Sequence, residues 1–261
     1  MAELTCPNTQ LRASTGIETD VHSLRAGNTS GSVGRNRLLE SLPPKDYSFL
    51  APHFRTVSLE CGTVLHDAGA EIERVYFPRS GMVSLTALMH SGAMVQAAVI
   101  GRGGVLGSNA GLGSRYAFST AVVRIAGDAL RISGDQFHSA ARKSEAIRTL
   151  AVAYNDLLLA QLQQSVACNA LHTLEKRLSR WLLRAHDCMG DNIIPLTQEC
   201  LGQMLGVRRT TLTLVAQALQ RAGMISYRRG LIRIADRRAL EHSACECYGI
   251  VNKHMQELIP T

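Results

Sequence analysis

Between Leu196 and Ile225 the chain reads LTQECLGQMLGVRRTTLTLVAQALQRAGMI, and its polar residues are of types that grip flat or charged partners. Arg208 and Arg209 offer planar forks of donors that match a phosphate or the two acceptors of a guanine edge. Gln217 can donate and accept at once, as an adenine edge requires. The methyl groups of Thr210, Thr211 and Thr213 can pack on a thymine methyl. A little further on stands Arg228-Arg229-Gly230, a basic turn suited to phosphates. With Thr197 at the start of the segment, these nine residues are the ones expected to touch a nucleic acid.

The elements that must hold them are legible in the same segment. Thr197 is placed to cap a short helix whose inward side chains are Leu201, Met204 and Leu205, and Gly206 supplies the turn. A second helix from about Arg209 to Ala222 buries Leu212, Val215 and Leu219 and presents the Arg, Thr and Gln residues outward. Gly202 falls where two steeply crossing helices leave no room for a larger side chain. The arrangement resembles a helix-turn-helix that reads double-stranded DNA in the major groove. Ile225-Ser226-Tyr227 and Leu231-Ile232-Arg233-Ile234 then read as two strands of a wing around the basic turn. From Asp191 to Arg238 eight arginines face three acidic residues, so five of the chain's net seven positive charges fall in this stretch.

Other reactive-looking groups carry less. Gly101-Arg102-Gly103-Gly104 has Leu106 where a dinucleotide fingerprint needs its third Gly, and no helix pattern follows at once. His242, Cys245, Cys247 and His254 are metal-ligand types. On a continuous helix, however, the two thiols would point to nearly opposite sides, so no metal and no cofactor is expected. No nucleophile elbow, zinc-protease His pair or Walker loop is present, and the chain is expected not to be an enzyme.

Forty-six per cent apolar and nineteen per cent charged residues are globular values, which exclude a rod or a wholly disordered chain. Residues 1–35 are rich in Ser, Thr, Gly and Asn and read as a flexible tail. From about Thr56 to Ile132 short β-prone runs are broken by Gly, Asp or Pro, the pattern of a β-barrel or sandwich. The stretch before it suggests two short helices around the Pro43-Pro44 pair. A run without Gly or Pro from Ser144 to near Asn169 predicts a helix of roughly 35 to 40 Å. It carries two apolar seams: Ile147, Ala151, Tyr154, Leu158, Ser165 and Cys168, then Val152, Leu159, Leu162 and Val166. The barrel can cover one seam, and a second copy of the helix is the simplest cover for the other. The domains expected are therefore a sensor over 36–142, a dimerisation helix over 143–170, and a DNA-binding domain with a helical extension over 171–261. No apolar run is long enough to span a membrane, and seven scattered cysteines fit a reducing cytoplasm.

This order of barrel, long helix and winged helix-turn-helix resembles the Crp/Fnr family of bacterial transcription regulators, from about Arg37 to Leu240. The resemblance implies an α+β chain with a jelly-roll-like, cyclic-nucleotide-binding-like barrel, and a homodimer on a palindromic operator. RNA polymerase and a small-molecule effector are the further partners it implies, with no membrane partner. In the family's cyclic AMP receptors a Gly-Glu pair binds the ribose, and an Arg before Ser/Thr-Ala grips the cyclic phosphate. The matching stretches here are Gly107-Ser108 and Ser119-Thr120-Ala121, so both charged handles are replaced by serine. An effector pocket at Gly107, Ser108, Ser119 and Thr120 that does not answer to cyclic AMP is the expectation, unless Arg102, Arg115 or Arg124 turns inward. Only Cys6 stands in the tail, too few thiols for the family's iron–sulfur branch. Two alternatives stay open: a cysteine-based redox or metal sensor, and a constitutive regulator whose barrel only makes dimer or protein contacts.

Overall fold

The computed structural model describes residues 35–258; the tail expected over 1–35, with Cys6, lies outside them apart from Arg35. Helices α1 (Arg37–Glu40) and α2 (Pro44–Tyr47) and a 3-10 turn at Ala51–His53 precede the strands. Leu38, Leu39, Leu42 and Leu50 pin this segment to the core. All seven β-prone runs become strands: β1 (Arg55–Leu59), β2 (Val64–His66), β3 (Arg74–Pro78), β4 (Met82–Leu88), β5 (Met94–Ile100), β6 (Thr120–Ile125) and β7 (Gly127–Ser133). They form two antiparallel sheets, ordered β1-β7-β3 and β2-β6-β4-β5. Leu59, Tyr76, Val83, Ile100, Val123 and Ala129 from both sheets meet in one buried cluster, so the barrel is a two-sheet jelly roll rather than a single closed ring.

Ser133 caps α3 (Gly134–Lys143), accepting from Gln136 N–H at 3.2 Å. Ser144 then ends one helix and starts the next: its hydroxyl accepts from Ile147 N–H at 3.1 Å and donates to the buried Asp46 at 2.7 Å. Helix α4 (Glu145–Leu171) has 27 residues, about 40 Å of rise. Its first seam is covered within the chain: Ile147, Ala151, Tyr154, Ser165 and Cys168 are buried and Leu158 half-buried. Its second seam is not, with Leu159 54% and Val166 71% exposed and Val152 exposed beside them.

The winged domain follows as α5 (Leu174–Met189), β8 (Ile193–Pro195), α6 (Gln198–Leu205), α7 (Arg209–Arg221), β9 (Ile225–Arg228), β10 (Leu231–Ile234) and α8 (Arg237–Ser243). Helix α9 (Cys247–Leu258) returns to α4, where Met255 and Leu258 join the core that α4 shares with the sensor sheets. Strand β8 was not expected from the sequence; it pairs with β10 to give a three-stranded sheet, β8-β10-β9. The winged domain also rests on the four-stranded sheet. Met82, Val99 and Ile125 share a buried cluster with Trp181, Leu182 and Leu201, and Trp181 Nε1 donates to Gln96 Oε1 of β5 at 3.3 Å. Among the described residues no helix is long and apolar enough to cross a membrane.

Candidate nucleic-acid interface and sensor pocket

The two helices of the reading head meet as their residue types require. Thr197 accepts from Cys200 N–H at 3.2 Å and caps α6, and Leu201, Met204 and Leu205 are buried. Gly206 closes the helix at φ +66°, a left-handed conformation that favours glycine. A methyl group on Gly202 would lie 3.1 Å from the Val207 carbonyl oxygen, so the turn packs against bare backbone at this point. Leu212, Ala216 and Leu219 anchor α7, and Val215, expected to be buried, is half-exposed beside them. No side chain caps the N-terminus of α7, so its first-turn N–H groups face outward with Arg208 and Arg209 at a site suited to a phosphate.

On the open face of α7 stand Arg208, Arg209, Thr210, Thr211 and Gln217. Thr213 does not stand there fully. It is half-buried, and its hydroxyl lies 2.8 Å from Gln198 Oε1 and 2.9 Å from the Arg209 carbonyl, so its one proton is used inside the domain. At 100° per residue Thr213 lies between Arg209 and Gln217 around the helix, and the acceptor that α6 provides draws it inward. Leu214 was not among the residues expected to touch a nucleic acid. It is 67% exposed, one helical step from Thr210 and Gln217, and is the apolar group best placed for a thymine methyl.

The wing is a two-residue hairpin in which Leu231 pairs with Arg228. Arg229 and Gly230 both have positive φ, 48° and 79°, the signature of a type I′ turn. Arg228 and Arg229 are exposed at its tip. Arg237, counted in the sequence among the surplus charges, is not available to a phosphate. It lies 3.0 Å from Asp187 and 2.9 Å from Glu241, and donates to Tyr248 Oη at 2.6 Å.

In the sensor a cavity of about 400 Å³ opens between the four-stranded sheet and α4. Of the four residues expected at an effector pocket, Gly107, Ser108 and Ser119 line this cavity and Thr120 does not. The Thr120 side chain faces Ala68 N–H at 3.4 Å and its carbonyl accepts from Thr86 Oγ1 at 3.1 Å. Ser108 donates to Asn155 Oδ1 at 2.8 Å. Burial pushes His66, another lining residue, below the usual histidine range, and its Nε2 donates to the Arg74 carbonyl at 2.8 Å. Leu85, Ile100, Leu106, Leu158 and Leu162 supply apolar wall, and no Lys, Arg, Asp or Glu is among the lining residues. The three arginines that could have replaced the lost handle are all committed elsewhere. Arg102 lines a separate cleft with Arg37, Arg184 and Asp187, Arg115 pairs with Glu71 at 2.8 Å and Asp135 at 2.7 Å, and buried Arg124 donates to Met94 Sδ at 3.3 Å. The glycines of the 101–104 loop have a packing role. A methyl group on Gly101 would lie 2.5 Å from Cys188 Sγ, and one on Gly104 would strike the Tyr154 hydroxyl.

The cysteine expectation requires correction. The chain from Arg237 to Leu258 is not one helix: it breaks at Ala244, which has extended backbone at φ −73° and ψ 158°. Cys245 lies in the break and Cys247 begins α9, so the two thiols do not diverge. They converge on Cys168 and His172 at the end of α4, and the four ligand atoms lie within 4.8 Å of one another. Burial and the adjoining thiols push Cys245 up to about 12, and burial also raises Cys168. His242 and His254 take no part; both are exposed, and His242 bonds the Arg238 carbonyl at 2.7 Å.

Residues 56–144 match the model of the cyclic nucleotide-binding domain, and residues 176–243 match that of the Crp-like helix-turn-helix domain. No curated protein matches the chain in sequence. Among solved structures, a Crp/Fnr-family transcriptional regulator from Eubacterium rectale is similar at 18% identity, with 78% of this chain and 96% of that chain covered and a TM-score of 0.61. FixK2 from Bradyrhizobium japonicum is similar at 16% identity, with 74% and 98% covered and a TM-score of 0.64. A Crp/Fnr-family regulator from Thermus thermophilus is 22% identical, with 73% and 98% covered and a TM-score of 0.59. At these identities the likeness is one of fold. With a cyclic nucleotide-binding-type domain, a helix-turn-helix and a basic wing in this order along one chain, the protein belongs to the Crp/Fnr family of DNA-binding transcription regulators.

Proposed function

We propose that the chain works as a homodimer on a palindromic operator, with the sensor over 36–142, the dimerisation helix over 143–170 and the DNA-binding domain over 171–261. The observation that carries this reading is the uncovered seam of α4, where Val152, Leu159 and Val166 stand exposed in a line with the half-buried Leu162. A stripe of this kind on a 27-residue helix is poorly suited to water and well suited to its own copy. Dimerisation about α4 would set two α7 helices on half-sites whose centres lie roughly 34 Å apart.

Arg208, Arg209, Thr210, Thr211, Leu214 and Gln217 form the reading set, and Arg228 and Arg229 the phosphate clamp. Thr197 caps α6 beside the wing tip, and Thr213 braces α7 against α6. The protein acts in the cytoplasm as a regulator rather than an enzyme, with RNA polymerase the partner through which bound DNA is turned into transcription. Its sensor takes an effector other than cyclic AMP, because Gly107, Ser108 and Ser119 line a pocket without charged residues.

Selection from a random duplex library, followed by binding titrations on the selected site and on a random duplex, tests the reading. The selected site should be palindromic. Arg209→Ala should cost about 1 to 3 kcal/mol on that site and little on random DNA, whereas Arg229→Ala should weaken both alike. Equal losses on both duplexes for Arg209→Ala would remove it from the reading set.

A further inference from the structure

Cys168, His172, Cys245 and Cys247 come from two distant parts of the chain, the last turn of α4 and the break between α8 and α9, and they converge in the interior. Cys168 Sγ lies 3.5 Å from Cys245 Sγ, and Cys247 Sγ lies 3.5 Å from His172 Nδ1. A tetrahedral ion with sulfur at about 2.3 Å and nitrogen at about 2.0 Å sets ligand-to-ligand edges of about 3.5 to 3.8 Å. We infer that these four residues form a closed Cys₃His site for a single zinc ion, joining the end of the long helix to the C-terminal extension.

The surroundings are those of a ligand set. Cys168 and His172 are four residues apart, which stacks them on one face of the helix end. The extended backbone at Ala244 lets Cys245 and Cys247, two apart, turn inward together. His172 Nε2 lies 3.2 Å from Glu246 Oε1, and a carboxylate on the far nitrogen fixes the tautomer whose Nδ1 lone pair faces the thiols. Gln164 Nε2 donates to Cys247 Sγ at 3.0 Å, a contact that favours the thiolate. Arg177 and Arg180 act electrostatically on the Cys168 sulfur and offset the single negative charge that three thiolates leave on a divalent ion.

Loading requires no redox partner: the three thiols release three protons to solvent as three Zn–S bonds and one Zn–N bond form. An iron–sulfur cluster would need its ligands spread around several metal atoms, and this set is compact enough for one. A Cys168–Cys245 disulfide would leave Cys247, His172 and the Glu246 contact without a purpose. With four protein ligands the site has no open position, which makes it structural in type. Its effect is mechanical. Cys168 lies just before the α4–α5 junction and Cys245 just after α8, so the ion would clamp the winged domain to the helix that carries it.

The experiment uses the full chain, purified without chelator and kept reduced with a phosphine. Elemental analysis should find one zinc per chain. Replacement by cobalt(II) should give the thiolate-to-metal charge-transfer and intense visible bands of a tetrahedral centre. Cys168→Ser and Cys247→Ser should abolish both signals, and Cys61→Ser should leave them intact. Glu246 is exposed, so Glu246→Gln should fold normally and bind zinc about ten- to a hundred-fold more weakly. A wild-type chain with substoichiometric zinc and no tetrahedral cobalt spectrum would overturn the inference, as would a metal retained by Cys168→Ser. Recovery of a Cys168–Cys245 disulfide, without metal, from a second preparation made without reductant would replace it with a redox pair. None of these readouts involves DNA, so the outcome stands apart from the operator reading.

Discussion

Arg229 holds the tip of the wing at φ 48°, in a region that costs a residue with a β-carbon about 1 to 2 kcal/mol and that Asn or Gly occupies more readily. The neighbouring Gly230 meets the same demand at no steric cost, so the turn itself does not explain an arginine. The proposed phosphate contact would: the side chain is exposed and lies at the end of a hairpin that also presents Arg228. Arg229→Asn should therefore raise the melting temperature, by an amount corresponding to about 1 kcal/mol, while weakening binding to every duplex and reducing the salt slope by about 1. Calorimetric unfolding and titrations at several salt concentrations measure the two effects independently. A loss of stability, or an unchanged salt slope, would sink this reading of Arg229.

The same separation of roles governs α4, whose adjacent leucines do different work. Both line the cavity, but Leu158 is half-buried against both sensor clusters, whereas Leu159 projects from the uncovered seam. Leu159→Asp should leave the fold intact and shift the protein to monomer, because a dimer would have to bury an unpaired carboxylate. Leu158→Asp should destabilise the sensor itself. Sedimentation and thermal melts of the two variants distinguish these outcomes, and a dimeric Leu159→Asp would move the interface elsewhere. Both seams were legible in the sequence because periodicity records which faces are apolar, and the seven strands and the reading head were legible for the same reason. What periodicity does not carry was missed. Strand β8 is three residues ending in Pro195, too short to show alternation, and it exists because β10 offers a free edge. The cysteine cluster depends on the backbone break at Ala244 and on contacts 77 residues apart in the chain, so no local spacing announces it. The withdrawal of Thr213 from the open face depends on Gln198, a residue of the other helix.

For the molecule as a whole, the sensor cavity and the proposed dimer share a wall. Leu159 and Leu162 belong both to the cavity lining and to the second seam of α4, so whatever fills the cavity presses on the residues a partner helix would touch. The winged domain is in turn joined to α4 through the α4–α5 junction and through α9, which packs against α4. An effector can bias DNA reading along this path only by binding one arrangement of α4 better than another. The chemistry of the cavity decides which effectors qualify. A cyclic phosphate must shed water to enter, and Ser108, Ser119, Asn155 and a neutral His66 offer hydrogen bonds but no counter-charge. Losing a buried charged partner costs about 2 to 5 kcal/mol, or roughly thirty-fold to several-thousand-fold in affinity. Cyclic AMP and cyclic GMP should therefore neither raise the melting temperature of the protein nor alter its affinity for the operator at concentrations that saturate ordinary cyclic AMP receptors. Small, largely apolar ligands that leave the Ser108–Asn155 hydrogen bond in place should do both. Calorimetric titration and thermal shift with each cyclic nucleotide are the decisive measurements: micromolar binding of either would mean that an arginine reaches the cavity after all, and Arg102→Ala, Arg115→Ala and Arg124→Ala would show which one.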